Sequence, residues 1–204
     1  MKTLKDDIRQ RILAVARQEF ITHGVRNTSV RTIAHKAGIA VGNVYNYFES
    51  KDNLFCEVLR PLINSLNTYI LSHNAERHLN LEVFFEKHFQ EEYILSMKTL
   101  VNKYRPELRL LLFNAEDTSL AGYANRIVEH QTRIGTEYLQ LMKKRYPHID
   151  ICISPFFLHI VSSTWVKFFA ELVEHDEYSE QEVQRALMQY AAYSMAGWKA
   201  IMKV

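Results

Sequence analysis

The scarcity of chain-breaking residues is the feature that most restricts how this chain can fold. Among 204 residues there are only 6 glycines and 4 prolines, whereas a strand-rich fold needs many turns. Apolar residues instead recur at helical spacing, as Ile8, Ile12 and Val15 do in the first segment. No stretch alternates apolar and polar residues as a half-buried strand would. The sequence therefore predicts an all-α protein of about nine helices.

Length and composition indicate a globular protein rather than a secreted or membrane-spanning one. The chain is long enough for one or two domains, and 48% of its residues are hydrophobic, which suffices for a core. The first residues lack the apolar segment of a signal peptide, and no apolar run approaches eighteen residues. We therefore expect a cytoplasmic protein with no membrane partner.

Positive charge is concentrated at the start of the chain. Residues 1–51 contain nine Lys or Arg and four acidic residues, a net charge of +5, whereas the remainder carries −3. A basic head on a mildly acidic body favours contact with an anion such as nucleic acid. A solvated basic surface with no partner is the alternative at this point.

Residues Val30 to Phe48 fit a helix-turn-helix unit. Ala34 is the small residue needed where the two helices cross, and Gly38 can take an open backbone conformation in the turn. Apolar residues would hold the second helix on the first: Ile33, Ala37, Ile39, Val44 and Phe48. A short turn makes the second helix protrude, so it can enter a major groove. The alternative is a helical hairpin packed inside a core.

Polar residues cluster where such a helix would meet DNA. Its exposed positions are Gly42, Asn43, Tyr45, Asn46 and Tyr47. Asparagine can read adenine edges, tyrosine hydroxyls suit phosphate oxygens, and glycine permits close approach. The flanking residues predicted to hold phosphates are Thr28, Ser29, Arg31 and Lys51. A hairpin buried in a core would not explain two Asn and two Tyr on one exposed turn.

The same stretch resembles the TetR family of repressors. The likeness covers about Ile8 to Phe55, and its specific part is the run Tyr45-Asn46-Tyr47-Phe48-Glu49-Ser50-Lys51. The resemblance implies a DNA-binding domain at 1–50 and a helical ligand-binding and dimerisation domain at 51–204. It also implies a homodimer, a near-palindromic double-stranded operator, and release of DNA by a small-molecule effector. One departure is Ala40, where the family often has a capping serine.

The last two predicted helices, beginning at Pro155 and Glu180, favour a dimer interface. The first is apolar on more than one face, which predicts burial on two sides, and a second subunit is a natural cover. The last helix places small residues such as Ala191 and Gly197 in its apolar stripe, which allows close helix packing. The alternative is that both helices belong to the core of a monomer.

An aromatic stripe between Phe84 and Tyr104 is either filled core or part of an effector cavity. For the cavity we expect a mainly apolar or aromatic ligand, with a lining drawn from Phe89, Tyr93, Met97, Phe113, Tyr123, Ile127 and Trp165. Pro61 should kink or break the long helix that begins at Lys51, because proline removes a helical hydrogen bond. That helix would be the lever between the two domains.

Two other functional classes compete with a ligand-controlled repressor. An all-helical enzyme is disfavoured because the nine histidines form no pair at helical spacing, and no Glu-x-x-His, phosphate-binding glycine loop or nucleophile elbow occurs. We therefore expect no catalytic residues, metal or cofactor. An architectural DNA-binding protein without an effector stays open, because only a ligand test separates it from a repressor.

Overall fold

The structure is a computed structural model that describes residues 4–72 and 78–204. Within these ranges the chain forms eight α-helices and no strand, which confirms the predicted all-α class at a count close to nine. The helices are α1 (Leu4–Asn27), α2 (Val30–Lys36), α3 (Val41–Tyr45), α4 (Lys51–Ser72), α5 (Lys87–Phe113), α6 (Tyr123–Arg145), α7 (Pro155–Glu174) and α8 (Glu180–Met202). A short 3-10 helix, Leu81–Phe84, precedes α5.

Local signals in the sequence set several helix ends. Gly24 interrupts the helical backbone of α1 with φ 73° and ψ 162°, a conformation that side chains disfavour. The side chain of Ser29 caps α2 by accepting from the backbone N–H of Thr32. The run Ser179-Glu180-Gln181-Glu182 has the sequence pattern of a capping box, and Ser179 and Glu182 form both of its hydrogen bonds at the start of α8. These ends depend on neighbours along the chain, so the sequence predicts them well.

The middle of the chain differs from the prediction of a helix over about 79–104 followed by another from Pro106. Helix α5 begins only at Lys87 and runs through Pro106 to Phe113. A non-helical residue, Tyr104 (φ −126°, ψ 16°), marks the place where the proline disturbs it. The predicted boundary thus becomes a kink inside one helix.

Pro61 does not break α4, so of the predicted kink or break the break is wrong. The helix continues from Lys51 to Ser72 with the proline inside it. Pro61 itself is exposed, so its ring faces outward from the packed side of the helix. Helix α4 therefore continues through Pro61, although this residue cannot donate a backbone hydrogen bond.

The chain divides into two compact units. The first comprises residues 1–65 together with 106–123, and the second comprises 66–105 together with 124–204. In the first unit, α1, α2 and the start of α4 share a core in which Phe20 meets Phe55 edge to face at 5.3 Å. The leucines Leu108 and Leu111, from the later segment, are also buried.

The second unit has its own core. Phe84 is buried in a cluster with Leu139, Met142, Leu158 and Met202, so α6, α7 and α8 and the 3-10 helix pack together. Phe84 therefore belongs to filled core rather than to a cavity wall. The neighbouring Phe85 is 56% exposed.

Candidate nucleic-acid interface

Helices α2 and α3 form the predicted helix-turn-helix. The chain between them, residues 37–40, turns through Gly38 at φ +66°, and the backbone N–H of Ile39 donates to the carbonyl of Ala34 at 3.1 Å. Gly38 therefore meets the open backbone conformation predicted for it. Ala34 is fully buried, and its small side chain allows the two helices to cross closely.

Buried side chains fix which face of α3 is presented. Val44 is 1% exposed and Phe48, just beyond the helix, is 2% exposed, so these two anchor the segment on the core. The guanidinium of Arg9 lies 5.2 Å from the centre of the Phe48 ring. With one side of α3 held in this way, its remaining side chains face outward.

Most of the predicted DNA contacts lie on this outward surface. The exposed ones are Ser29, Arg31, Gly42, Asn43, Tyr45 and Asn46, and Tyr47 is half-buried. The sequence predicts this helix over about Val41 to Phe48, but α3 ends at Tyr45 and residues 46–47 continue as a turn. The structure thus leaves these residues accessible on the two helices of the helix-turn-helix and in the turn after α3.

Thr28 and Lys51 are placed differently from the prediction that they contact phosphates. Thr28 is 4% exposed, and its hydroxyl donates to the carbonyl of Gly24 at 2.8 Å. The ammonium of Lys51 donates to the carbonyls of Val25 and Thr28 at 2.8 and 3.0 Å. Thr28 therefore closes the end of α1 on itself, and Lys51 connects that end with the start of α4.

We expect Lys51→Met to destabilise the protein. The substitution leaves two carbonyls without their donor, which should lower the free energy of unfolding by about 1–3 kcal/mol. Urea unfolding measures this, with Lys144→Met on α6 as an exposed control. A variant of unchanged stability whose DNA binding shows a weaker salt dependence would restore the phosphate role instead.

Sequence reasoning missed other residues on the same surface. Val41 opens α3 and is 37% exposed despite being apolar, and Thr32 is exposed on α2 beside Ser29, with their hydroxyl oxygens 2.8 Å apart. An exposed valine at the start of a recognition helix suits a thymine methyl group. Ala40 provides no side-chain cap to α3, as its departure from the family pattern predicts.

Polar contacts attach residues 106–123 to the helix-turn-helix unit. Arg17 of α1 donates to the buried carboxylate of Glu107 at 2.5 Å, and Asp52 of α4 accepts from the backbone N–H of Ser119 at 2.9 Å. Arg26 pairs with Asp117 at 2.6 Å and holds the pKa of that carboxyl below its ordinary value. Charge pairs between residues ninety positions apart leave no local signal, so the sequence did not reveal them.

The seven residues predicted to line an effector cavity are divided between the two units. Phe113 and Tyr123 belong to the first unit, and the other five, Phe89, Tyr93, Met97, Ile127 and Trp165, belong to the second. Met97 alone of the seven borders a cleft formed by α5, the end of α7 and the start of α8. Tyr93 and Trp165 are in direct contact, and a cavity lined by all seven residues stays a prediction.

The interior around Tyr93 is packed with aromatic rings. Trp165 stacks on Phe169 at 5.5 Å and on Tyr69 at 6.1 Å, and its indole N–H donates to the hydroxyl of Tyr93. Burial raises the pKa of both tyrosines well above the ordinary value, so their hydroxyls stay protonated. In this region the aromatic stripe is filled core.

Two further features bear on partners. On the exposed end of α7, ligand atoms of Glu171, Glu174 and His175 lie within 4.8 Å of one another. Glu171 is already paired with Lys167 at 2.6 Å and His175 with Glu177 at 2.6 Å.

Helix α7 is also long and apolar enough to cross a membrane by length and composition, although core helices of water-soluble proteins meet the same criterion.

Comparison with known proteins matches the helix-turn-helix segment to a family. Residues 12–58 match the family described as bacterial regulatory proteins, tetR family. The repressor KstR2 of Rhodococcus jostii is 31% identical over 120 residues, which cover 57% of this chain and 58% of that protein. A regulator of Staphylococcus aureus is 33% identical over 75 residues, 37% of this chain and 40% of its own length. The alignments thus span less than two thirds of these relatives.

Solved structures resemble the whole chain in fold. KstR2 of Mycobacterium tuberculosis has a TM-score of 0.58 at 18% identity, covering 93% of each chain. NalD of Pseudomonas aeruginosa, described as the secondary repressor of a multidrug efflux pump, has a TM-score of 0.59 at 19% identity, covering 94% of this chain and 96% of its own. At these identities the likeness concerns the fold.

The fold and the interface define a helical protein with an N-terminal helix-turn-helix. The aligned residues include α2, the turn and α3, where the buried anchors and the exposed polar face lie. Residues 12–58 thus match the tetR family of bacterial regulatory proteins, and the chain is similar to repressors of this kind.

Proposed function

We propose that this protein is a sequence-specific DNA-binding transcriptional regulator that acts as a repressor in the cytoplasm. The observation that carries the proposal is α3, which is anchored by Val44 and Phe48 and presents Asn43 and its neighbours outward. The repressor names of KstR2 and NalD support the direction of regulation. These relatives are regulators, which disfavours an enzyme.

Selection of bound DNA from a random pool tests this proposal. A specific regulator should enrich one consensus, and a twofold-symmetric regulator should enrich a near-palindromic one. An architectural protein should retain DNA without a consensus, because it depends on backbone contacts and DNA deformability. Failure to retain any duplex DNA at low salt would contradict a DNA-binding role.

Within this proposal the outward residues divide into two groups. The first group contacts base edges and consists of Asn43, Tyr47 and Val41. The second group contacts phosphates and consists of Ser29, Arg31, Tyr45, Asn46 and the backbone of Gly42. Thr28 and Lys51 act indirectly, by fixing the end of α1 from which α2 departs. Base contacts determine which sequence is bound, and phosphate contacts determine affinity for every sequence.

Arg31→Ala should weaken binding to all DNA sequences alike. Each phosphate contact releases counterions, so its loss should reduce the slope of log K against log salt by about 0.9 per subunit. Fluorescence anisotropy across a salt series on specific and random duplexes measures both slopes. Arg145→Ala, an exposed arginine at the end of α6, should change neither. An effect confined to the selected sequence would make Arg31 a base-reading residue.

The same proposal includes a homodimer formed through α7 and α8. Phe156 (71% exposed) and Ile160 (43%) lie one turn apart on α7, and Tyr193 (77%) and Ile201 (37%) lie two turns apart on α8. Apolar side chains exposed in a stripe favour burial against another protein surface. A second copy is the occupant we propose, with recognition helices about one DNA turn, or 34–36 Å, apart.

We also propose that a small molecule bound to the second unit releases the DNA. Helices α4 and α5 pass from one unit to the other, at residues 65–66 and 105–106. On α5 the boundary directly follows the kink at Tyr104, and Glu107 beyond it pairs with Arg17 of α1. This kink is a better candidate than Pro61 for the joint that transmits the signal, because the helical backbone is interrupted there.

A further inference from the structure

A cleft in the second unit lies away from the aromatic residues predicted to bind an effector. It has a volume of about 170 Å³ and is formed by α5, the end of α7, the connection to α8 and the start of α8. A cavity of about 150 Å³ can hold one benzene ring. The cleft therefore suits a ligand with one ring or a short aliphatic chain.

The floor of the cleft is apolar. Met97 and Val101 of α5 and Leu187 of α8 border it and are 0%, 4% and 1% exposed. Half-buried Leu172 and Val183 continue the same surface. Contact with these side chains would remove hydrocarbon from water, which favours binding of an apolar body.

Two half-buried cations border the same cleft. The ammonium of Lys98 donates to the amide oxygen of Gln184 at 3.0 Å, and Arg105 donates to the carbonyls of Leu172 and Val173 at 2.6 and 3.1 Å. Within residues 4–72 and 78–204, both cations thus have neutral hydrogen-bond partners. Partly desolvated positive charges of this kind attract an anion.

The acidic groups of the cleft lie at its rim. Asp176 follows the end of α7 and Glu180 begins α8, and both are exposed. Solvent screens exposed carboxylates, whereas the two cations are half-buried beside the apolar floor. A monoanion is therefore favoured over a dianion, because a second negative charge would face this rim.

We propose that the cleft binds small apolar monocarboxylates. The carboxylate accepts from Lys98 and Arg105, and the hydrocarbon lies on Met97, Val101 and Leu187. Arg105 immediately precedes Pro106, where α5 enters the first unit. Only the consequence for DNA depends on the proposed function: a ligand that engages Arg105 acts one residue from the joint of α5.

Calorimetry with a matched series of probes tests the binding. The probes are 3-phenylpropionate, its neutral amide 3-phenylpropanamide, and propionate, which lacks the ring. We expect the acid to bind about tenfold more tightly than the amide, because a hydrogen bond to a charged group is stronger than a neutral one. Propionate should bind more weakly than 3-phenylpropionate, because it leaves the apolar floor uncovered. Equal affinity for acid and amide, or no binding at millimolar excess, would overturn the proposal.

Two variants locate the site. Lys98→Gln should lower affinity for the acid about tenfold and leave the amide unchanged, and Lys144→Gln should affect neither. Val183→Trp should fill the cleft and abolish binding of both, with circular dichroism and urea unfolding to confirm that the variant folds. Binding that survives Val183→Trp, or an acid preference that survives Lys98→Gln, would place the ligand elsewhere.

The DNA experiment is kept separate from the binding experiment. Binding of the acid without binding of DNA would contradict the proposed function but not the ligand site proposed in the cleft. A protein that binds its selected DNA but no acid contradicts the cleft alone. With both activities present, 3-phenylpropionate should weaken DNA binding of the wild type and not of Lys98→Gln.

Discussion

Tyr193→Asp should convert the protein from a dimer into a monomer. In the single chain this side chain is 77% exposed, so the substitution removes little from the fold of one subunit. In a dimer formed through α7 and α8 it would bury a carboxylate in an apolar contact, and twofold symmetry places the change twice. Like charges and unpaired buried charges at an interface each cost several kcal/mol. We therefore expect the dimer dissociation constant to rise by roughly 10²-fold or more.

Operator binding should weaken in parallel. In a dimer, binding of the first head raises the effective concentration of the second, a gain of about 10²–10⁴ in affinity. A monomeric Tyr193→Asp variant loses that gain although every side chain of its helix-turn-helix is intact. Sedimentation and anisotropy on the selected duplex measure the two effects.

Leu95→Asp is the matched control for this interface. Leu95 lies on α5 and is 66% exposed, so it receives the same charge at a similar exposure outside α7 and α8. The control should remain a dimer and bind the operator normally. If Leu95→Asp dissociates the dimer while Tyr193→Asp does not, the interface involves α5 instead. A wild type that is monomeric at micromolar concentration contradicts the dimer altogether.

The helix-turn-helix could be predicted because its determinants are local. Gly38 supplies the turn conformation, Ala34 permits the crossing, and Val44 and Phe48 are buried because of their spacing on one face. The same holds for the capping box that begins α8 at Ser179. Each signal involves residues within a few positions of one another, so one sequence suffices.

Contacts between distant segments could not be predicted in this way. Arg17 and Glu107 are charged residues that periodicity assigns to solvated faces, yet Glu107 is 5% exposed and paired with the arginine. Lys51 did carry a weak hint, because a cation is unfavourable in the first turn of a helix and needs another partner. Its partners, two carbonyls near the end of α1, depend on the tertiary fold.

The division of the aromatic residues shows the same limit. The spacing of Phe84, Phe89 and Tyr93 indicates apolar surface, but it cannot distinguish a cavity wall from packed core. In the structure Phe84 is covered by α6, α7 and α8, and Tyr93 is covered by Trp165. A cleft lies beside Lys98 and Arg105, away from these two aromatic residues. Whether a gap between helices is filled depends on the side-chain volumes that several helices contribute. The sequence of a single segment does not contain this information.

Asn43→Ala should change which DNA sequence is bound while leaving the protein folded. Asn43 is exposed on α3, and alanine favours helix more than asparagine does, so α3 should lose no stability. Loss of a bidentate contact to adenine costs about 1–3 kcal/mol at one base pair. A symmetric operator contains that contact twice, which gives about 2–6 kcal/mol, or at least a thirtyfold loss of affinity.

The pattern of the loss distinguishes base reading from general weakening. Affinity for random duplex should be nearly unchanged, and renewed selection should relax one position in each half-site. Tyr47→Phe should act in the same direction if its hydroxyl bonds a base, and should lower affinity for all sequences alike if it bonds a phosphate. Asn67→Ala, the same substitution at an exposed position of α4, should alter neither affinity nor consensus. If Asn43→Ala and Tyr47→Phe together leave binding and consensus untouched, α3 does not read the DNA. The groove would then be read by another exposed element, of which α2 with Arg31 and Thr32 is the nearest.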